Sequence, residues 1–571
     1  MGVINLDYKQ KFQMWLDSDY FDKKTINELR SIKNNDDEIK ERFYKDLEFG
    51  TGGMRGIIGA GTNRINIYTI RKATQGLADF IINNVEKSQR SFAIAFDSRL
   101  LSKEFAREAS IVLNANGIKT YLFGQLHPTP VLSFAVRFLK CCGGIVITAS
   151  HNPKEYNGYK VYWNDGAQVV SPIDNEIVEC VNRIESFNQV KLIDENEAIT
   201  QGLFNLIDRE VDDSYISAVK TQRINFDLPH NLKIVYTPLN GSGNKFVRKI
   251  LRETGFENVY VVSKQEAPDP NFTTVGVPNP ENPQAFNLAL ELAKEKDADI
   301  ILGTDPDSDR IGVVVKDNRD YKYLTGNMTG ILLLEYILSQ KKELRRMPEN
   351  PVVISTIVST RLAKIIAESY GAEYIDVLTG FKYICREIKN FEGKKDFVFG
   401  FEESYGCLAG TYCRDKDAVV AAMLICEMAD FYKSKGMTLI DALNEIYKKY
   451  GCQREALKSI NLEGIEGAQK IKDIMENLRN NPPKIIANTN VKSFSDYKLG
   501  IKNNADGSKS DLSLPKSNML LFELEDNSWI CVRPSGTEPK IKIYVGAAAQ
   551  TLDDAENKLK ILLDEFSKII L

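Results

Sequence analysis

Along most of the chain, short runs of continuous apolar residues alternate with longer stretches whose apolar positions recur every three or four residues. The first kind predicts buried strands and the second amphipathic helices. Strands are predicted over 92–96, 120–123 and 144–147, separated by helices over 103–116 and 131–139. The same order restarts with a strand over 232–236, a helix over 244–254, a strand over 259–262, a Pro/Asp/Asn loop over 268–280, a helix over 283–295 and a strand over 299–303. It restarts again with strands over 352–355, 374–378 and 397–399 and helices over 360–370 and 381–390. Continuous apolarity in the strands, with a helix between each pair, implies mostly parallel sheets covered on both faces.

The first 40 or so residues form a charged, helix-periodic lead-in, and the polar stretches 185–212 and 317–326 read as junctions. After a helix over 417–435 the pattern loosens. There follow a helix over 466–479, a weakly patterned stretch over 486–515, strands over 529–532 and 541–545, and a closing amphipathic helix over 553–570. The expected fold is α/β: three tandem related α/β units with mixed, mostly parallel sheets, plus a C-terminal α+β domain. The boundaries fall at 1–210, 211–326, 327–450 and 451–571. The last domain, joined through a loose segment, is expected to rotate when substrate binds.

A chain of 571 residues exceeds a single core, in line with several domains of roughly 100 to 200 residues each. With 43% hydrophobic and 27% charged residues and a net charge of −4, no basic stripe for nucleic acid or anionic lipid is apparent, and a small polar ligand is the default partner. The nine cysteines show neither CxxC nor zinc spacing, which fits reduced thiols in a cytoplasm. Neither a signal core nor an apolar run of about 18 residues is visible. Three histidines argue against a histidine-rich metal site, and one of them, His151, adjoins a candidate nucleophile.

That nucleophile is Ser150, in Thr148-Ala149-Ser150-His151-Asn152-Pro153, where a buried strand empties into a loop. This is where open α/β sheets bind ligands. Asn157, Gly158 and Lys160 follow, read as a loop that supplies backbone freedom and an ammonium near the hydroxyl. The strand before 304 empties into Asp305-Pro306-Asp307-Ser308-Asp309-Arg310. An EF-hand reading fails, because its sixth and twelfth positions would be Arg310 and Lys316 rather than Gly and Glu. Three aspartates at alternate positions crowd negative charge that a divalent cation relieves, and Mg²⁺ suits an all-oxygen set.

Three weaker segments complete the set. Gly50-Thr51-Gly52-Gly53-Met54-Arg55-Gly56 is a glycine-rich turn that could bring Arg55 close to a phosphate. Glu402 and Ser404, between Gly400 and Gly406, pair groups suited to sugar hydroxyls, and Thr379, Gly380 and Lys382 end the preceding strand. Arg533, Ser535, Gly536, Thr537 and Lys540 combine a guanidinium, two hydroxyls, a glycine amide and an ammonium, the donors a phosphate dianion accepts.

These segments, in this order and spacing over nearly the whole chain, resemble the α-D-phosphohexomutase superfamily. The wording of 50–56, the extended N-terminus and the length are most similar to its branch of bacterial phosphoglucomutases related to phosphopentomutase. The resemblance implies four domains around one cleft, a phosphoserine at Ser150, Mg²⁺ held by that Ser150 phosphate with Asp305, Asp307 and Asp309, and a glucose 1,6-bisphosphate activator and intermediate. It implies substrate contacts from Arg310, Thr379, Gly380, Lys382, Glu402 and Ser404, and a distal phosphate anchor at Arg533, Ser535, Gly536, Thr537 and Lys540. His151, Lys160 and Arg55 are then candidates for proton transfer around Ser150. The reaction so implied exchanges glucose 1-phosphate and glucose 6-phosphate. Alternatives are a pentose or mannose phosphate substrate, a metal-dependent sugar phosphatase, and a silent sugar-phosphate sensor. Neither nucleic acid nor membrane is expected as a partner, and the chain is expected to be a monomer or homodimer.

Overall fold

The structure, a computed structural model, describes residues 7–50, 52–207, 209–462, 464–535 and 540–570. The chain forms two compact units, Met1–Tyr323 with Gly406–Asp430, and Leu324–Tyr405 with Phe431–Leu571.

The first unit holds two sheets. One runs, edge to edge, Gly53–Ile57, Tyr156–Trp163, Gly143–Ile147, Ser91–Phe96, Lys119–Phe123 and Phe204–Ile207. Its last four strands are parallel, as the unbroken apolar runs imply. Gly53–Ile57 and Tyr156–Trp163 are antiparallel additions, and they correct the sequence reading. Arg55 and Lys160, expected in loops, lie on paired strands. The glycines that suggest turns instead let backbones approach: a Cβ on Gly53 would sit 2.0 Å from the Tyr159 carbonyl oxygen, and one on Gly158 2.3 Å from that of Thr148. Phe204–Ile207, inside the stretch read as a junction, is likewise an edge strand.

The second sheet runs Asp320–Leu324, Ile311–Asp317, Ile300–Thr304, Ile234–Thr237 and Val259–Val261. Helices Tyr8–Asp17, Lys23–Ser31 and Asp36–Phe43 precede the sheets. They join through aromatic packing: Trp15 stacks on Phe21 at 4.1 Å and meets Tyr68 edge-on at 5.9 Å. Tyr68 opens helix Ile67–Asn84, capped by Asn66, whose Oδ1 accepts from the Tyr68 and Thr69 amides at 3.1 and 3.0 Å.

In the second unit, Glu373–Val377, Pro351–Thr356 and Asp396–Glu402 are parallel. Helix Gly326–Glu343 beside them is buried on nearly every face. It therefore has no polar stripe to betray it in the sequence. The C-terminal sheet is antiparallel, in the order Cys452–Asn461, Lys540–Ala549, Trp529–Pro534, Leu520–Leu524, Thr489–Asp496, Ile501–Asn504 and Lys509–Asp511. The weakly patterned 486–515 thus contains three strands. Ile501–Asn504 and Lys509–Asp511 end the sheet with little burial, so they carry no apolar alternation. Ile357, Leu378, Met519, Leu521, Trp529 and Tyr544 form a core shared by the parallel and C-terminal sheets.

All three parallel sheets share one construction. The central strand comes first in the chain, its successor adds on one side, and the third strand adds on the other. Each sheet therefore has a switch point between its first and third parallel strands, where their C-terminal loops diverge and leave a crevice.

Candidate active site

At the first switch point the loop after Ser91–Phe96 holds the loop after Gly143–Ile147. Asp97 accepts from Thr148 Oγ1 at 2.6 Å, and Thr148 Oγ1 accepts from the Ser150 amide at 2.7 Å. Arg99, with its side chain fully buried, donates to the carbonyls of Ser150 (2.6 Å), Asn152, Pro153 (2.9 Å) and Tyr156 (3.1 Å). Four carbonyls on one guanidinium clamp a backbone in which Ser150 has φ 51°, a left-handed conformation costly for serine. Burial raises the Asp97 carboxyl pKa and lowers that of Arg99, each opposed by the other's charge. Arg55 adds a bond to Asn152 Oδ1 at 2.8 Å.

The second switch point is built alike. After Ile234–Thr237, the Ser242 hydroxyl and amide both donate to the Pro306 carbonyl, at 2.9 and 2.8 Å. A Cβ on Gly241 would lie 2.5 Å from Pro306 Cα, so the aspartate loop is seated directly on backbone. The loop closes through the Arg310 amide onto Asp305 Oδ1 at 3.1 Å.

The two loops meet. Ser150 Oγ donates to Asp305 Oδ2 at 2.8 Å and stands 3.2 Å from His151 Nδ1. Asp305, Asp307 and Asp309 are at most 1% exposed, with one oxygen of each within 4.8 Å of the others. Lys160 Nζ lies 2.9 Å from Asp307 Oδ2 and 3.6 Å from Asp309 Oδ2, and Lys416 Nζ lies 2.8 Å from Asp309 Oδ2. Thr129 Oγ1 donates to Asp307 at 3.2 Å. Asp307 Oδ1 and Asp309 Oδ1 are buried and accept no hydrogen bond among the described residues. Burial, then the charges of Asp307 and Asp309, pushes Asp305 well above the usual carboxylate range. Against its own burial, Asp307 is held below that range by Lys160. Crowded carboxylates with orphaned oxygens have the donor chemistry of a hard divalent cation, and these three residues could hold one. Burial, with the charges of Arg310 and Arg55, holds His151 well below its ordinary value, so the imidazole is neutral at pH 7. Arg310 turns to Glu281 at 2.9 Å.

The second unit carries the other candidates. At its switch point, after Pro351–Thr356, Thr356 Oγ1 donates to Glu403 Oε2 at 2.9 Å, the same device a third time. Glu402 is buried and Ser404 half-buried. Burial and then the charge of Glu402 raise Glu403 to about 6. Thr379 Oγ1 is buried without a hydrogen-bond partner among the described residues, and Gly380, at φ 116°, leads into helix Phe381–Asn390 with Lys382 in its first turn. Arg533, on strand Trp529–Pro534, donates to Tyr544 Oη at 3.2 Å, and the Ser535 amide donates to the Lys540 carbonyl at 2.8 Å. Gly536 and Thr537 lie outside the described residues.

Asp97, Arg99 and Lys416 were missed from the sequence. The signal for the first two was present: Asp97-Ser98-Arg99 ends the first parallel strand of its unit, the partner position at any switch point. Lys416 is brought in from far along the chain and has no local signature.

The fold, with a buried serine hydroxyl facing an acidic loop, is that of a multidomain α/β protein carrying the groups that phosphoryl transfer uses. The chain matches the phosphoglucomutase/phosphomannomutase alpha/beta/alpha domains I, II and III over residues 46–188, 213–318 and 325–450, and the C-terminal domain over 490–557. It is 40% identical over 509 residues to the phosphoglucomutase of Staphylococcus haemolyticus, covering 89% of this chain and 91% of that one. With the phosphoglucomutase of Staphylococcus aureus it shares 38% over 533 residues, covering 93% and 95%. A phosphoglucomutase/phosphomannomutase family protein from Burkholderia thailandensis has the same fold, with a TM-score of 0.66 at 18% identity over 92% of this chain and 97% of that one. The chain belongs to the phosphoglucomutase/phosphomannomutase family of the α-D-phosphohexomutase superfamily, whose members are intramolecular phosphotransferases. No described helix is long and apolar enough to cross a membrane.

Proposed function

We propose that the protein interconverts glucose 1-phosphate and glucose 6-phosphate in a cytoplasm, through a phosphoserine at position 150 and a glucose 1,6-bisphosphate intermediate. The observation that carries this reading is the 2.8 Å hydrogen bond from Ser150 Oγ to Asp305, which joins a serine and an acidic cage from separate sheets.

A sugar hydroxyl attacks the phosphorus on Ser150, the bond from phosphorus to Oγ breaks, and the hydroxyl proton leaves to a nearby base. The bisphosphate reverses and returns its other phosphoryl group to Ser150. Positioning and electrostatics supply most of the catalysis in such transfers. Arg99 fixes the direction of Ser150, and neutral His151, 3.2 Å from Oγ, can take a proton. Lys160 and Lys416 bring positive charge to the same pocket. A Mg²⁺ ion on Asp305, Asp307, Asp309 and the Ser150 phosphoryl group would neutralise charge on that group. From the second unit, Arg533, Ser535, Gly536, Thr537 and Lys540 take the non-reacting phosphate. Glu402 and Ser404, with Arg310, Thr379, Gly380 and Lys382, bind the sugar.

Steady-state rates on glucose 1-phosphate and ribose 1-phosphate, each with catalytic glucose 1,6-bisphosphate, test the proposal. Faster turnover of the glucose ester, dependent on the bisphosphate and free of phosphate release, is expected. Stoichiometric release of inorganic phosphate would make the protein a phosphatase instead.

A further inference from the structure

We infer that the second unit carries a regulatory anion site for a small organic phosphate, in a groove between the parallel sheet and the C-terminal sheet. The groove encloses about 480 Å³, within the range of small-molecule sites. Its cations come from both walls: Arg361 and Lys364 at the start of helix Leu362–Ser369, and Lys492 on strand Thr489–Asp496.

The balance of charge there is positive. Arg361 lies over the Trp529 ring at 5.4 Å and 3.9 Å from Asp376. Lys364, with more than half of its side chain exposed, lies 3.8 Å from Glu368 and also acts on the charge of Asp376. Lys492 is exposed and forms no ion pair among the described residues. The one carboxylate lining the groove, Glu523, is already engaged by Lys502 at 2.6 Å and Ser493 at 2.7 Å. Ile365, 41% exposed, and Ala548 give the groove an apolar side. An anionic headgroup among three cations and a carbon skeleton against Ile365 describe an organic phosphate better than inorganic phosphate alone.

The position gives such a ligand leverage. Gly451, at φ 104°, joins helix Leu439–Tyr450 to strand Cys452–Asn461 and lines the groove. It directly follows the segment matched as domain III, ahead of the segment matched as the C-terminal domain. A ligand gripping Lys364 on one side and Lys492 on the other spans that joint. Trp529 shares a strand face with Arg533, about 13 Å further along, so a ligand at the joint is tied to the strand that carries Arg533.

The test titrates the full-length protein with phosphoenolpyruvate and with AMP by calorimetry, with saturating glucose 1,6-bisphosphate present to fill the substrate site. At least one probe is expected to bind at a 1:1 ratio. Lys364→Glu with Lys492→Glu should weaken that binding at least tenfold and leave the melting temperature unchanged, whereas Arg533→Ala should not weaken it. Should the charge reversals prevent folding, Lys364→Gln with Lys492→Gln carries the same test with a smaller expected loss. Absence of binding by both probes, equal affinity in the paired variant, or loss of binding in Arg533→Ala would each overturn the inference. Binding is read directly, so the outcome stands apart from whether the protein is a glucose phosphate mutase.

Discussion

The serine centre of the first unit and the loops of the second that we propose to bind the sugar are built from the same switch-point plan but finished differently. Around Ser150, side chains from two sheets lock both loops. Arg99 takes four carbonyls, Ser242 seats Pro306, and lysines meet Asp307 and Asp309. In the second unit the plan survives in fewer bonds, from Thr356 to Glu403 and from Ser355 to the Phe401 carbonyl, and the hydroxyl of Thr379 is buried without a hydrogen bond among the described residues. A centre that must hold reacting atoms to within a fraction of an ångström gains from over-determined loops. Under the proposed function the second unit's loops receive a sugar in two orientations, and such loops gain from polar atoms that the fold has not already used.

The sharpest way to break this contrast is at the serine itself. Ser150→Ala should lower turnover on the order of 10⁴-fold or more, while the melting temperature stays within a few degrees, since only one hydroxyl is lost from a loop held elsewhere. Near-normal mutase activity in that variant would remove the first unit's claim to the chemistry. Stripping divalent cations with EDTA should abolish activity similarly, with recovery on adding Mg²⁺. Activity that survives chelation would leave the three aspartates without the proposed task.

Next in size is the clamp. Arg99→Ala leaves the Asp97 carboxylate buried without its cation and frees four carbonyls. Denaturant unfolding should show a loss of about 3 kcal/mol, accompanied by a fall in kcat. If stability drops while kcat holds, Arg99 serves the fold alone and the loop does not need its tight seating.

How much of this was legible beforehand follows the same divide. The parallel strands and both chemistry-bearing loops could be read because buried strands are unbroken apolar runs and because Asp305, Asp307 and Asp309 repel one another for a reason. Arg55 and Lys160 were placed in turns because Gly53 and Gly158 look like flexibility, when they allow close contact between strands. Helix Gly326–Glu343 hid because burial on all sides erases periodicity, and strands Ile501–Asn504 and Lys509–Asp511 hid because exposure does the same. Arg99 and Lys416 act through tertiary contacts, which no local pattern encodes.

The recognition half should respond in binding rather than in stability. Arg533→Ala removes a guanidinium that donates to Tyr544 and faces the charge of Glu403, so KM should rise roughly 10- to 100-fold with a lesser change in kcat. An unchanged KM would deny the loop its role as anchor and leave the second unit's share of the site undefined.

The smallest effect tests whether the second unit's carboxylates carry the cost of lying unused. Glu403, raised from 4.5 to about 6 by burial and by Glu402, binds its proton more tightly in the folded chain than in the unfolded one. It therefore adds stability that is fully present below about 4.5 and is lost as pH rises through about 6. The increment is at most about 2 kcal/mol for a shift of this size, and nearer 1 with solvent access. Glu403→Gln has no such proton to lose, so its stability relative to wild type should climb by about 1 kcal/mol between pH 4.5 and 7. Amide hydrogen exchange in strand Asp396–Glu402 reads this locally, without requiring the whole chain to unfold in one step. A difference between variant and wild type that stays flat across that interval would mean that Thr356 and the surrounding polar groups already compensate the Glu403 charge. The second unit's loop would then be as fully tied down as the first's.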